Sequence, residues 1–462
     1  MKKTLLLFVA ICALAPLFDT VRAEIHPTSG IYVGGHIRRA RPGTITKLRE
    51  SGFTYAILFN VHVDPDGTLK TDGETICENG KYVFSRTQPH YVEDVRNLKT
   101  WPTSIVRLEI CIGGWGNDSY NNIKKLINEN GTGRTTMLYR NFKALLDSVP
   151  GIDAVNNDDE QCYDVSTASK FHIMMYDLGI KTSLAPYTYM SFWQNLATSV
   201  NNSRPGAVDL VLVQCYDGGA GNDPRSWNFS GIERHAGRTN YQDDGSFTKY
   251  TDKLQEWKKN GGAVGGFIWV YNDESWDLHK YATSMNQIFF PRTAAPDTVA
   301  AKVYTEKNYG GYGVELGEGV YSKSDLAVLG LPEKSIASAE VTEGYRIKFY
   351  KTPALTGAYS RLDKSRTSIL GTFAGNICSL SIEKLPADGV DATADNAICL
   401  QSTDGELLVE NAAGKVLRIY GVGGQMVMSA SIKSNAECIQ LSPLPQGVYV
   451  AKVETESLKF SK

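Results

Sequence analysis

From about Gly30 to Phe290 the chain alternates between short apolar runs and longer helical patterns, and this alternation constrains the fold more than any other feature. The runs Tyr55–Val63, Ser104–Ile112, Gly151–Asp158, Lys181–Ala185, Val208–Cys215 and Gly265–Val270 read as strands. Runs as apolar as Val208-Asp209-Leu210-Val211-Leu212-Val213 suit strands buried on both faces, the condition of a parallel sheet covered by helices. So many βα units in one stretch point to an α/β fold of the (β/α)8 TIM-barrel type, with an open doubly wound sheet as the alternative.

Pro291-Arg292-Thr293-Ala294-Ala295-Pro296 ends the rhythm, and beyond it glycine, tyrosine and short alternating runs indicate two small all-β sandwich domains. A second breaker-rich stretch, Pro386 to Asp395, separates them. At the other end, Met1-Lys2-Lys3-Thr4 precedes an apolar run from Leu5 to Ala15 that is too short to span a bilayer. With the small residues around Val21-Arg22-Ala23, residues 1–23 read as a signal peptide and Glu24 as the mature start. Cys12 is not expected to carry a lipid, because Ile11 stands where a small residue is needed. The expected order is signal peptide 1–23, barrel 24–292, Greek-key domain 299–385 and C-terminal β-sandwich 396–462.

A chain of 462 residues is too long for one small core. Its 48 Lys and Arg against 50 Asp and Glu leave no overall field for nucleic acid or an anionic membrane, and no further run is long and apolar enough to span a bilayer. Once Cys12 is set aside, Cys77, Cys111, Cys162, Cys215, Cys378, Cys399 and Cys438 are odd in number and scattered, which is not a disulfide framework. The histidines form no HExxH or Cys-paired spacing, so neither a metal nor another cofactor is expected.

The strongest chemical signal is Asp153-Ala154-Val155-Asn156-Asn157-Asp158-Asp159-Glu160. Side chains on a strand alternate, so Asn156, Asp158 and Glu160 share one side, with Glu160 at the carboxyl end where barrel enzymes keep their chemistry. A run of acids is as often a solvated loop. This one follows an apolar strand, and other strand ends carry matching groups: Cys111-Ile112-Gly113-Gly114, Gln214-Cys215-Tyr216-Asp217 and Gly266-Phe267-Ile268-Trp269.

These four segments, in this order, resemble family 18 glycoside hydrolases over residues 30 to 290. The octet resembles the DxxDxDxE motif, with Asp153, Asn156, Asp158 and Glu160 at its four named positions, and the other three resemble the SxGG, MxYD and final-strand Trp motifs. The resemblance implies cleavage of β-1,4 links next to N-acetylglucosamine, with the substrate's acetamido group replacing a protein nucleophile. Glu160 is then the general acid and base, Asp158 holds the acetamido N–H, Tyr216 donates to its carbonyl and Trp269 stacks under the sugar. Asn156, Asp153, Asp217, Gly113 and Gly114 are implied to bind substrate. Cys111 for Ser, Asn156 for Asp, Gln214 for Met and Asn157 for an apolar residue depart from the pattern and imply lower activity; Asn156 can hydrogen-bond Asp158 but cannot share a proton with it.

Asp158-Asp159-Glu160 followed by Tyr163 is closer to the Asp-Asp-Glu-Tyr run of endo-β-N-acetylglucosaminidases than to the Asp-Trp-Glu of chitinases. The implied partner is therefore a glycoprotein glycan, cut in its chitobiose core, ahead of a chitin-like oligosaccharide. Trp115, Tyr187, Tyr189, Trp193 and Trp227 are further stacking candidates. The alternative is a catalytically silent, lectin-like member of the family, against which the retained Glu160 argues.

Two further resemblances follow the barrel. Val303 to Tyr312 and Ile347 to Tyr359 repeat an aromatic and glycine pattern, ending in Ser338-Ala339-Glu340-Val341 and Ser379-Leu380-Ser381-Ile382, which resembles the βγ-crystallin fold. Glu333 to Ser338 and Ala374 to Ser379 lack the paired acids of its calcium sites, so calcium is not expected. Leu441 to Val453, with the basic tail after it, resembles the C-terminal sorting domains of Bacteroidetes secreted proteins. That implies a secretion machinery as partner and a place outside the cell or at the periplasmic or outer-membrane surface of a Gram-negative bacterium.

Overall fold

The structure, a computed structural model, describes residues 26–39, 42–239, 247–271, 276–289, 296–385, 398–403, 405–434, 436–454 and 456–462. The expected signal peptide and the Pro386 to Asp395 linker lie outside the described residues, as does nearly all of the Pro291 to Pro296 break. Eight strands, β1 Ser29–Val33, β2 Tyr55–Val63, β3 Arg107–Gly113, β4 Ala154–Asp158, β5 Lys181–Leu184, β6 Val208–Gln214, β7 Glu233–Thr239 and β8 Gly265–Tyr271, pair in parallel in chain order. Because β1 pairs with both β2 and β8, the sheet closes into a barrel, which excludes the open doubly wound alternative.

Helices α1 His36–Arg39 and α2 Gly43–Glu50 follow β1, α3 Tyr91–Leu98 follows β2, and α4 Ser119–Asn130 and α5 Met137–Ser148 follow β3. After β4, β5, β7 and β8 come α6 Val165–Asp177, α7 Met190–Ser203, α8 Phe247–Lys258 and α9 Leu278–Phe289. Between β6 and β7 the chain forms only the 3-10 turn Asp217–Gly219, so the alternation falls short of a regular (β/α)8.

Strand alternation divides the buried residues in two. Ile31, Val155, Val211, Val213 and Ile268 point outward into the layer beneath the helices. Tyr32, Tyr55, Ile57, Cys111, Leu210, Leu212, Tyr216 and Phe267 fill the interior. Both faces of each strand are thus covered, as parallel sheets require. Two strands, β1 and β7, were not among the expected runs. β7, Glu233-Arg234-His235-Ala236-Gly237-Arg238-Thr239, is polar in composition, yet it is buried from His235 onward, where Tyr55 Oη lies 2.8 Å from His235 Nδ1 inside the barrel.

Two all-β units with their own cores follow. In the first, one sheet orders Gly313–Leu316, Ala301–Tyr304 and Ser338–Val341, and the other Gly319–Tyr321, Ser379–Lys384, Tyr345–Tyr350 and Tyr359–Leu362. Its internal duplication extends to hydrogen bonds: Ser338 Oγ accepts from Tyr309 N–H at 3.0 Å and donates to the Glu306 carbonyl at 2.6 Å, while Ser379 Oγ accepts from Leu355 N–H at 3.1 Å and donates to the Thr352 carbonyl at 2.7 Å. Helix α10 Lys323–Val328 of this unit packs on α2 and α9. There the Asn286 amide donates to the carbonyls of Gly52 at 2.9 Å and Ala327 at 3.0 Å. The second unit pairs Cys399–Thr403, Glu406–Glu410 and Ala436–Gln440 in one sheet and Met426–Ser431, Val416–Gly421, Val448–Val453 and Glu456–Ser461 in another.

Candidate active site

β4 carries two of the candidate polar groups, Asn156 and Asp158, and every one of its side chains is buried, polar ones included. Asn156 and Asp158 face the interior, whereas Asn157 and Asp159 face the helix layer. At the end of β3, Gly113 has φ 105° and a Cβ there would lie 2.2 Å from the Asp158 carbonyl oxygen; only glycine lets the strands approach so closely. Gly114, at φ 101°, donates its N–H to that carbonyl at 2.7 Å. The two glycines therefore shape the rim around Asp158.

Asp158 accepts at 2.8 Å from Gln214 Nε2, which also donates to the Ala185 carbonyl at 2.8 Å. Asn156 does not serve Asp158 as expected from the sequence. Its Oδ1 accepts from Tyr32 Oη at 2.9 Å and its Nδ2 donates to Ser183 Oγ at 2.8 Å, and Ser183 in turn donates to Glu109. Of the four departures noted in the sequence, then, Gln214 supplies the donor to Asp158 and Asn156 is tied into the layer below. Neither partner titrates.

Burial above all, and then the Glu160 carboxylate, pushes the Asp158 carboxyl well above the usual range, against the bond from Gln214. Glu160, half-buried just past the strand end, is also raised, first by burial and further by Asp159, while bonds from the Tyr187 hydroxyl and the Trp115 N–H oppose the shift. Tyr216 keeps its proton, since burial and then Asp158 raise its pKa. The Cys111 thiol, raised by burial and Asp158, is neutral at the place where the SxGG pattern has serine.

Trp269 closes the interior from β8. Its ring stacks 6.3 Å from Tyr216 at 10° and meets Phe59 edge-on at 4.7 Å and Tyr32 at 5.2 Å. Above this layer Trp115 is 90% and Tyr189 62% exposed, so both are free to meet a ligand, whereas Trp193 and Trp227 are buried in the helix layer and cannot stack on one. Trp193 Nε1 is spent on the Thr188 carbonyl at 2.9 Å.

The structure thus brings Asn156, Asp158, Glu160, Gly113, Gly114, Tyr216 and Trp269 to one end of the barrel. Asp217 stands on the same rim, exposed, at φ 45° in the turn after Tyr216. Asp153 does not join them. It precedes β4 at the opposite end, paired to Lys99 Nζ at 2.7 Å and accepting from Leu108 N–H at 2.7 Å, so its role is to fix the start of the strand. Tyr32 is a site neighbour that the sequence did not point to, while Gln214, a departure from the MxYD pattern, and Tyr187, a stacking candidate, prove to bond Asp158 and Glu160; the signal for Gln214 was its inward parity with Leu210 and Leu212 on β6. Among the described residues no group of three or more His, Cys, Asp or Glu could hold a metal ion.

Comparison with known proteins bears on the C-terminal regions. Residues 396–462 match the family described as the secretion system C-terminal sorting domain, so the chain carries such a domain and is secreted or held at the cell surface. No helix among the described residues is long and apolar enough to cross a membrane. The chain is similar to a βγ-crystallin domain from Flavobacterium johnsoniae, at 24% identity over 20% of this chain and 98% of that one, with a TM-score of 0.19. It is likewise similar to the N-terminal domain of protein S, at 24% identity over 19% and 98% with a TM-score of 0.18. A βγ-crystallin domain from Clostridium beijerinckii matches at 25% identity over 18% of this chain and 95% of that one, with a TM-score of 0.18. No curated protein matches the chain.

Proposed function

We propose that this exported protein is a glycoside hydrolase of the family 18 type that cleaves β-1,4 links next to N-acetylglucosamine, in the chitobiose core of N-glycans ahead of chitin-like chains. The observation that carries the reading is the pairing of a half-buried Glu160, its proton affinity raised by burial, with a buried Asp158 on the same rim. A carboxyl that must protonate a leaving oxygen near neutral pH needs this kind of shift. Asp158 and the protonated Tyr216 are neighbours able to grip the two ends of an acetamido group, so that its oxygen reaches the anomeric carbon. Trp269 offers a flat apolar floor for the sugar ring, and Trp115 and Tyr189 offer platforms for sugars further out.

Mass spectrometry of products after incubation with a glycoprotein bearing high-mannose glycans, and in parallel with chito-oligosaccharides, tests the proposal. Release of glycans cut between the two core N-acetylglucosamines supports it in full, and chito-oligosaccharide cleavage alone moves the substrate to chitin-like chains. Binding without turnover of either supports the lectin-like alternative.

A further inference from the structure

The polar groups on the outer face of β4 point away from the mouth, and the mechanism above uses none of them. The Asp159 carboxylate accepts three backbone N–H groups: Oδ1 takes those of Gln161 at 3.1 Å and Cys162 at 2.8 Å, and Oδ2 takes that of Tyr163 at 2.8 Å. These three bonds close the turn that begins at Glu160 and ends on Tyr163, a non-glycine residue at φ 49°. The Asp159 N–H is itself held by Asn157 Oδ1 at 2.9 Å.

A backbone N–H can only donate, so the orientation of the Asn157 amide is fixed, and its Nδ2 must be the group 2.8 Å from His172 Nε2. His172 Nε2 is then an acceptor. The ring proton sits on Nδ1, which faces Thr182 Oγ1 on β5 at 3.1 Å. Burial keeps this imidazole neutral, its pKa pushed down to about 3. A continuous chain of bonds thus runs from β5 through α6 and β4 to the turn that carries Glu160, wholly behind the barrel wall.

We infer that Asp159 and Asn157, anchored by His172, are positioning residues that set the orientation of the Glu160 carboxyl toward the mouth. The inference rests on the reading of Glu160 as proton donor. Three N–H bonds to one carboxylate leave the turn a single arrangement, and a general acid displaced by an ångström loses most of its effect. Asp159 has a second consequence, because its charge is among those that raise the Glu160 pKa, behind burial.

The experiment compares kcat, KM and pH profiles of the full chain carrying Asp159→Asn, Asn157→Ser or Asp164→Asn. An asparagine at 159 presents an amide nitrogen to one of the three N–H donors and carries no charge. Asp159→Asn should therefore lower kcat by about 100-fold with KM changed less than threefold, and should move the alkaline limb of the kcat profile to lower pH, since Glu160 loses a neighbouring anion. Asn157→Ser, the milder change, should lower kcat in the same direction without moving that limb. Asp164 caps α6 by accepting from Thr167 N–H at 2.9 Å, and its carboxylate takes none of the three N–H groups that close the turn, its charge reaching Glu160 only through Asp159, so Asp164→Asn should cost stability while leaving kcat near that of the parent. Wild-type kcat and pH profile in both Asp159→Asn and Asn157→Ser, with Glu160→Gln inactive, would overturn the inference while leaving the proton donor in place. An active Glu160→Gln overturns the reading beneath it instead.

Discussion

Buried carboxylates stand at both ends of the barrel and are partnered in opposite ways. At the end where the strands begin, Arg107 donates Nε–H to Glu109 at 2.6 Å and forks onto Asp209 at 2.7 and 2.9 Å, with Lys181 Nζ 3.0 Å from Asp209. Burial alone would lower the proton affinity of Arg107, but the Glu109 and Asp209 carboxylates outweigh it and raise it. Glu109, pushed up by burial, is pulled back by Arg107 and Ser183. At the other end the proton affinities of Asp158, Asp159 and Glu160 are set mainly by burial, by neighbouring acids and by neutral donors; among the described residues no cation forms an ion pair with any of them, and Lys124 acts on Asp159 only from a distance. The first arrangement holds charge permanently in a structural cluster, whereas the second keeps acids able to gain and lose protons. An acid meant to donate a proton is better served without a cation beside it.

The sharpest break between the two ends comes from Glu160→Gln. The amide keeps shape and sugar contacts but has no proton to give, so kcat should fall by about 1,000-fold with KM nearly unchanged, as read from glycan release. Activity within tenfold of the parent protein would remove Glu160 from the role.

Arg107→Met should act at the opposite end and on a different quantity. It strands Glu109 in the interior, and breaking a buried pair from one side costs about 3–5 kcal/mol, measurable by denaturant unfolding. The folded fraction should turn over at the parent rate, because Arg107 meets the mouth only through the Glu109, Ser183 and Asn156 bonds. A specific loss of kcat at full folding would mean that the two ends are coupled.

Asp158→Asn sharpens the comparison in sign. Asp158 binds its proton more tightly in the folded chain than in the unfolded one, so folding is penalised as pH rises from the unfolded pKa, and the penalty is complete above the folded one. The amide removes that penalty while still accepting from Gln214. Thermal stability should therefore rise at neutral pH and the gain should vanish in acid, while kcat falls by about 100-fold and KM changes less. Tyr216→Phe should show the same kinetic split with no pH-dependent gain in stability.

How far the sequence could be read depended on what each position demands. β2, β6 and β8 stood out because two-sided burial requires unbroken apolar runs, whereas β7 did not, because interior places at His235 and Gly237 are polar or small and its partners make up the packing. β1 was missed because its Ser29-Gly30 start reads as a turn and leaves only Ile31, Tyr32 and Val33 as an apolar run. In the site, Asp158, Glu160, Tyr216 and Trp269 take their places from strand periodicity and strand ends. The bonds from Gln214 to Asp158 and from Asn156 to Ser183 join different strands, and cross-strand register is not written in either segment alone. Asp153 was misplaced because the motif's spacing runs past the start of β4, and Trp193 and Trp227 because an aromatic looks the same whether it stacks on a ligand or fills a core.

The smallest effect is expected from shortening the chain, and the structure says where the cut must fall. A chain ending near Phe290 would strip α10 from α2 and α9 and leave the Asn286 amide without Ala327; Gly52 and Ala282 beside it too would lose their cover, since a Cβ at Gly52 would lie 2.8 Å from Ala327 Cβ. Lys323, which lies 3.3 Å from both Glu50 and Glu333, ties the same surfaces together. That truncation should aggregate. A chain ending at Leu385 keeps this whole interface and removes only the unit whose strands run from Cys399 to Ser461, which meets its neighbour around Gly371 and Cys438. None of Asn156, Asp158, Glu160, Tyr216 or Trp269 lies in it. Turnover of a soluble glycan by the chain ending at Leu385 should therefore equal that of the full protein, while export in the native host is lost with residues 396–462. A soluble, monodisperse chain ending at Leu385 that had lost turnover would show that the sorting domain takes part in the site, and the barrel mouth could then no longer be treated as complete in itself.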